Sequence, residues 1–207
     1  MLNVLRTKLS LATAIIGLCA AIQPGKLSAQ TSGVGSDGYT RVLWRGTNGS
    51  ISVWKVDGNL VQTGSRQYGP YNGWTPIALT VGADNYSRLL WRGTDGAVSL
   101  WLLDPNLNYY SGKQYGPYYG WIAESISIDT ADRLRLIWRE TDGSISLWNL
   151  DPNLNYLGSR VYGPYFGWDP ATAAAAKSGA GKLTPAVPEN DNVPAEMKRP
   201  VSPPLPQ

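Results

Sequence analysis

Residues 88–101 read RLLWRGTDGAVSLW, which is two short apolar runs on either side of a Thr-Asp-Gly turn. An Asp-Gly pair between apolar runs is a strong signal for a β-hairpin. The pattern recurs 47 residues earlier, as RVLWRGTNGSISVW at 41–54, and 47 residues later, as RLIWRETDGSISLW at 135–148. A fixed period of this size indicates one supersecondary unit used three times.

All nine tryptophans of the 207-residue chain follow this period. They occupy three positions of the repeat, namely Trp44, Trp91 and Trp138; Trp54, Trp101 and Trp148; and Trp74, Trp121 and Trp168. We therefore expect any activity of the protein to reside in repeated sites.

Each repeat is predicted to form four short antiparallel strands and no helix, because no segment has apolar residues at helical spacing. In the second copy, bulky apolar residues occupy successive positions at 89–91 and again at 100–103. Successive strand residues point to opposite faces, so both faces of this sheet are expected to be buried. Burial on both sides favours the blades of a β-propeller.

The copies extend over about 36–74, 75–121 and 122–168 of an all-β domain at 36–176. The first copy lacks a good first strand at 28–34, and residues 169–176 could supply one and close a ring. Propellers close with about four to eight blades, so three blades suggest a homodimer that completes a six-bladed ring. A β-trefoil, which needs three four-stranded repeats and closes as a monomer, is the alternative fold.

Both ends of the chain are predicted to lie outside this domain. Residues 1–29 have the pattern of a secretory signal peptide, with an apolar run at 9–22 that is too short to span a membrane. We therefore expect a secreted, periplasmic or extracellular protein. Residues 177–207 contain seven prolines and few aliphatic residues, which predicts a disordered Pro-rich tail.

The composition argues against several classes of function. The chain has no histidine, and its single cysteine, Cys19, falls in the predicted signal peptide. This excludes His- and Cys-based catalysis and the usual zinc ligand sets. Three of the 18 basic residues, Arg6, Lys8 and Lys26, precede residue 30, which leaves 15 basic and 15 acidic residues and no electrostatic footprint for nucleic acid. We expect no enzymatic activity, no metal and no cofactor.

The hairpin segments resemble the FG-GAP/VCBS-type repeats of secreted bacterial propeller proteins. The Gly-Trp pairs at 73–74, 120–121 and 167–168 are similar to those of tachylectin-like sugar-binding propellers. These resemblances imply a bladed fold and, for the lectins, a carbohydrate ligand. Calcium is not carried over, because the acidic residues before the second strands are few and do not stay in register.

A second repeated motif, Tyr-Gly-Pro-Tyr-X-Gly-Trp, is the candidate ligand site. It occurs at 68–74, 115–121 and 162–168, where Gly and Pro indicate a loop. Aromatic rings on such loops can stack on the C–H face of a pyranose, and nearby arginines can bind its hydroxyls. Core packing is the alternative explanation of repeated tryptophans, and it is the one we expect for the strand positions. The candidate ligand contacts are Tyr71, Trp74, Tyr118, Trp121, Tyr165, Trp168, Arg45, Arg92 and Arg139.

Two main hypotheses follow from this pattern. The first is a non-enzymatic, lectin-like protein with up to three equivalent weak glycan sites. The second is a protein-interaction or structural module of the bacterial envelope, in which the aromatic residues form the core and open sheet edges pair with another chain. A third is a glycosidase that uses Glu140, which replaces the Gly46 and Gly93 of the other copies.

Overall fold

The computed structural model describes residues 35–170 and, in addition, the backbone of Pro200–Val201. All regular elements in these residues are strands, and no helix there is long and apolar enough to cross a membrane. The strands are β1 (Thr40–Arg45), β2 (Ile51–Val56), β3 (Gln62–Tyr68), β4 (Trp74–Val81), β5 (Ser87–Gly93), β6 (Val98–Leu103), β7 (Tyr109–Tyr115), β8 (Trp121–Ile128), β9 (Leu134–Glu140), β10 (Ile145–Leu150), β11 (Tyr156–Tyr162) and β12 (Pro200–Val201).

The strands form three antiparallel sheets in which neighbours along the chain are hydrogen-bonded. The first sheet contains β1 to β3, the second β4 to β7, and the third β8 to β11. This arrangement confirms the prediction of all-β, blade-like repeats, and three separate meanders are not the barrel of a β-trefoil. The short β12 adds antiparallel to the edge strand β7.

The hairpin turn explains why the Thr-Asp-Gly sequence repeats. In the second sheet, the Gly93 amide donates to the carbonyl of Ala97 at 2.8 Å, and the Ala97 amide donates to Asp95 Oδ1 at 3.0 Å. Gly96 has a φ of +85°, a left-handed conformation that glycine adopts without steric penalty. The turn residues thus close the hairpin with hydrogen bonds among themselves.

The second sheet is buried on both faces, as its sequence predicts. Leu89 and Trp91 pack with Ile51 and Val53 of the first sheet, whereas Leu90 packs with residues of the third sheet. The three sheets approach one another through the first strand of each, because β4 lies beside both β8 and β1. The hydrophobic core therefore consists of two layers, one at each junction between sheets.

Several predictions concern residues that the structure does not describe. These are the signal peptide at 1–29, the first strand of copy one at 28–34, the closing strand beyond Pro170, and the tail at 177–207 apart from the β12 backbone. Asp169 and Pro170, the first residues of the predicted closing segment, lie outside any strand.

Candidate ligand-binding site

The Tyr-Gly-Pro-Tyr-X-Gly-Trp segments are loops that follow the last strand of each sheet. Each contains a cis Gly-Pro peptide bond, at 69–70, 116–117 and 163–164. In the second loop the Tyr118 amide donates to the Gly96 carbonyl at 3.4 Å, and the Gly120 carbonyl accepts from the Thr141 amide at 3.2 Å. This loop is consequently held between the hairpin of its own sheet and the hairpin of the next sheet.

The predicted aromatic contacts of the second loop are buried. Tyr118 is only 3% exposed, and its ring lies edge-on against Trp138 and Trp148 at centroid distances of 5.3 and 5.6 Å. Burial raises the pKa of Tyr118 to about 12. Trp121 is buried in the same cluster. In this copy the motif fills the junction between the second and third sheets.

The other two copies of the motif have different surroundings. Tyr71 and Trp74 are half-buried at the first junction, where Tyr71 lies edge-on against Trp91 at 5.5 Å. Tyr165 and Trp168 follow the third sheet and are exposed, Trp168 by 77%. The three predicted sites therefore share a sequence but differ in accessibility.

Two of the predicted arginines connect neighbouring sheets. Arg45 Nη2 donates to the Ile77 carbonyl at 3.0 Å, and Arg92 Nη1 donates to the Ala123 carbonyl at 3.4 Å. Both acceptors lie where a bulge interrupts the pairing of β4 or β8. Partial burial and the charge of Arg92 lower the pKa of Arg45. These arginines thus bind backbone carbonyls at the bulges of the next sheet.

The third arginine is surrounded by carboxylates. Arg139 Nε lies 2.9 Å from Glu124 Oε1 and 3.4 Å from Asp169 Oδ1. Asp169 follows Trp168, whose indole ring is exposed, and it joins Arg139 and Glu124 of the third sheet in one cluster of three charged groups. Neither carboxylate repeats, because the equivalent positions hold Ile77 and Ile122.

The sequence interpretation missed the most exposed aromatic ring of the internal loops. Tyr119, the variable residue of the second motif, is 83% exposed, and the equivalent residues are Asn72 and Phe166. A search for repeated aromatic residues passes over this position because it does not repeat as an aromatic. The relevant signal is the adjacent pair Tyr118-Tyr119, whose rings do not both point into one junction.

A carboxylate lies beside the Tyr119 loop. A Cβ atom built on Gly120 would be 3.9 Å from Glu140 Oε1, which places this side chain next to the loop. Burial and the charge of Asp142 raise the pKa of Glu140. At the first junction the equivalent of Glu140 is Gly93, and therefore only the second junction combines an exposed ring with this carboxylate.

The loops in which calcium-binding repeats carry their ligands hold ion pairs instead. Arg41 and Arg88 are buried and pair with Asp37 and Asp84 at 2.5 Å. The third copy has Ala131 in place of this aspartate, and Arg135 pairs with Asp129 at 3.3 Å. Within the described ranges, no group of three or more acidic, His or Cys side chains could hold a metal ion.

Comparisons with known proteins identify no family. No family model and no curated protein matches the chain. Among solved structures, a protein of unknown function from Bacteroides caccae is 10% identical with a TM-score of 0.37, over 59% of this chain and 46% of that one. The SapL1 lectin, solved in complex with alpha methyl fucoside, is 16% identical with a TM-score of 0.42, over 61% and 42% of the two chains.

The matched part of this chain thus spans less than half of either structure. The FG-GAP/VCBS and tachylectin resemblances remain resemblances of short motifs, while the repeated antiparallel sheets that they imply are present.

Proposed function

We propose that this protein is an exported, non-enzymatic, lectin-like protein that binds carbohydrate at the loop between its second and third sheets. The observation that carries the proposal is Tyr119, an exposed ring on a loop fixed by backbone hydrogen bonds to two hairpins. A flat ring held in this way provides an apolar face for a pyranose, and it requires little ordering of the protein on binding.

Polar groups beside the ring suit a sugar. The carboxylate of Glu140 lies next to Gly120, the residue that follows Tyr119. An ionised carboxylate only accepts hydrogen bonds, and sugar hydroxyl groups are good donors to it. We assign Tyr119 the stacking role and Glu140 the role of hydroxyl acceptor, while Tyr118 and Trp121 support the loop from below.

The surroundings of Glu140 favour binding over hydrolysis. Glycosidases generally need two carboxyl groups that flank the scissile bond. The acidic neighbour that acts on Glu140 is Asp142, and its carboxylate is engaged by the amide and hydroxyl of Ser144 at 2.7 and 3.1 Å. Both carboxylate oxygens of Asp142 thus hold the turn, which supports a binding role for this region.

A glycan array probed with the full chain tests the proposal, with Tyr119→Ala as the site variant. Tyr110→Ala is the matched control, because Tyr110 is also an exposed ring but lies at the start of β7. An aromatic contact of about 1.4 kcal/mol corresponds to a tenfold change in affinity, so we expect roughly tenfold weaker binding for Tyr119→Ala alone. No retained glycan, or equal losses in both variants, would contradict the proposal.

The non-enzymatic part has its own test. An oligosaccharide that binds the array-positive protein should be recovered intact after prolonged incubation, as measured by mass spectrometry. Shortened products that disappear in Glu140→Gln would establish a glycosidase instead.

A protein-interaction module is the second candidate function. It is favoured by the outer face of the first sheet, where Trp44 and Leu60 are exposed. Apolar surface of this kind is typical of a contact with another chain. In this case the array would stay empty and the first sheet would carry the activity.

A further inference from the structure

Equivalent residues of the three repeats are not equally buried. Leu60 is 83% exposed, whereas its counterparts Leu107 and Leu154 are 1% and 0% exposed. Trp44 is 49% exposed, whereas its counterparts in the second and third sheets are fully buried. The first sheet thus presents to solvent a face that the later sheets bury, and we call Trp44, Trp54 and Leu60 the leading face.

The preceding sheet covers this face at both internal junctions. Tyr71 lies edge-on against Trp91 and Trp101 at 5.5 and 5.4 Å, as Tyr118 does against the equivalent pair in the third sheet. The Tyr68 hydroxyl donates to the carbonyl of Leu107. At each junction, therefore, two tyrosines of the preceding sheet cover two tryptophans of the next sheet and the turn that contains its buried leucine.

The second junction has the equivalent of the hydrogen bond from Tyr68 to Leu107, and the third sheet has a tyrosine at the position of the donor. The Tyr115 hydroxyl donates to the carbonyl of Leu154. After the third sheet, the equivalent tyrosines are Tyr162 and Tyr165, and both are exposed. We call these two residues the trailing face. One chain thus carries, at its two ends, the two halves of an interface that it forms twice internally.

The charged residues beside the leading face and the trailing face are complementary as well. Burial alone would raise the pKa of Asp104, but hydrogen bonds from Asn108 and Asn106 and the charge of Arg66 across the first junction hold it below its usual value. The equivalent groups at the free ends are Asp57 on the first sheet and Arg160 on the third.

We propose that a second copy of this chain covers the leading face with its trailing face, so that two chains associate head to tail. Tyr165 of one chain covers the Trp44 and Trp54 of the partner subunit, and the Tyr162 hydroxyl binds the carbonyl of Leu60 of the partner subunit. Arg160 faces Asp57 of the partner subunit.

The number of sheets indicates that the assembly closes as a dimer. A head-to-tail interface either closes into a ring or continues as a filament. Each chain brings three described sheets, and propellers close with about four to eight blades. Two copies bring six sheets, which falls in this range, and three copies bring nine, which does not.

Sedimentation velocity of the full chain over a wide range of micromolar concentrations tests the proposal, and we expect twice the monomer mass. Leu60→Asp should be monomeric, because it places a charge in the interface. Its folding should be unaffected, because Leu60 is exposed in the single chain. The matched control is Leu157→Asp, which should remain dimeric. Leu157 is exposed, and so is its counterpart Tyr110 in the internal second sheet, so this position is outside the junctions.

A mixing experiment tests the head-to-tail geometry. Tyr165→Asp damages the trailing face, and Leu60→Asp damages the leading face. Each variant alone should be monomeric, but an equimolar mixture retains one intact interface per pair and should form a weaker heterodimer. A monomeric unmodified protein, equal masses for Leu60→Asp and Leu157→Asp, or a series of species larger than a dimer would overturn the closed ring. Because Tyr119 lies at an internal junction, glycan binding can fail without affecting this result.

Discussion

The ring of Tyr118 lies edge-on against Trp138, with centroids 5.3 Å apart and planes at 79°. Through this contact a loop of the second sheet covers a core residue of the third sheet. Tyr71 has the same relation to Trp91, at 5.5 Å and 88°. The first role of the loop motif is therefore to pack successive sheets together. Tyr119, the residue beside the buried Tyr118, remains available to a ligand.

Replacing the buried Tyr118 should destabilise the protein, whereas replacing its exposed neighbour Tyr119 should not. We expect Tyr118→Ala to lower the free energy of unfolding by about 3 to 5 kcal/mol, the usual range for truncating a buried aromatic ring. Tyr119→Ala, one residue further along and exposed, should change it by less than about 0.5 kcal/mol. Urea unfolding followed by tryptophan fluorescence measures both. If the two variants lost similar amounts of unfolding free energy, the Tyr118 ring would have no special role in packing the second sheet on the third.

Stability should decline at alkaline pH. Burial raises the pKa of both Tyr115 and Tyr118 to about 12, compared with about 10 in the unfolded chain. A raised pKa in the folded state means that stability is complete below pH 10 and is lost as the pH rises toward 12, because only the unfolded chain releases these protons. Unfolding midpoints in urea, measured between neutral pH and about pH 11, should fall, and Tyr115→Phe and Tyr118→Phe should each reduce the decline. A decline as steep in both variants as in the unmodified protein would assign it to other groups.

Removal of the Asp37 carboxylate should destabilise the protein, because the buried Arg41 loses its ion-pair partner. Arg41 is 2% exposed and pairs with Asp37 at 2.5 Å. We expect Asp37→Asn to cost about 2 kcal/mol at neutral pH, which is below the usual value for a broken buried pair because Asp37 itself is partly exposed. Asp95→Asn is the matched control and should be nearly neutral, since Asn48 already caps the equivalent turn with its Oδ1, 3.0 Å from the Ser50 amide.

The difference between Asp37→Asn and the unmodified protein should vanish in acid. Burial alone would raise the pKa of Asp37, but hydrogen bonds from Arg41 and the Tyr39 amide hold it below its usual value of 3.8. A lowered pKa in the folded state means that the stabilisation is present above pH 3.8 and disappears as the pH falls through the lower value. Urea unfolding curves at neutral and acidic pH measure this, and a constant difference between the two proteins would contradict the assignment.

Glycan binding at the proposed site should depend on the ionisation of Glu140. Burial and Asp142 raise the pKa of Glu140 above its usual value of 4.5, so the carboxylate is lost as an ionic acceptor when the pH falls through that raised value. Affinity should fall over the same range in the unmodified protein and should be weaker and flat in Glu140→Gln. Isothermal titration at several pH values measures both, and identical pH profiles would remove Glu140 from the site.

Local patterns were sufficient to predict the strands and their two-sided burial. Leu89, Leu90 and Trp91 are successive residues of one strand, and alternation of side chains requires an apolar neighbour on both faces. The Asp95-Gly96 turn is equally local, because the hydrogen bonds that close it join residues only two to four positions apart. The site was predictable only as a loop, since Tyr119 differs from its counterparts in sequence.

The amino-acid sequence by itself determined the repeat, the hairpins and the sheets that the repeats form. Only the tertiary structure decided which copy of a repeated residue is core and which is surface. Tyr118 and Tyr165 occupy the same position of the motif, yet one is buried and the other exposed. The physical reason is that burial depends on what packs against a residue, and in the single chain the third sheet has no described sheet after it to cover its last loop.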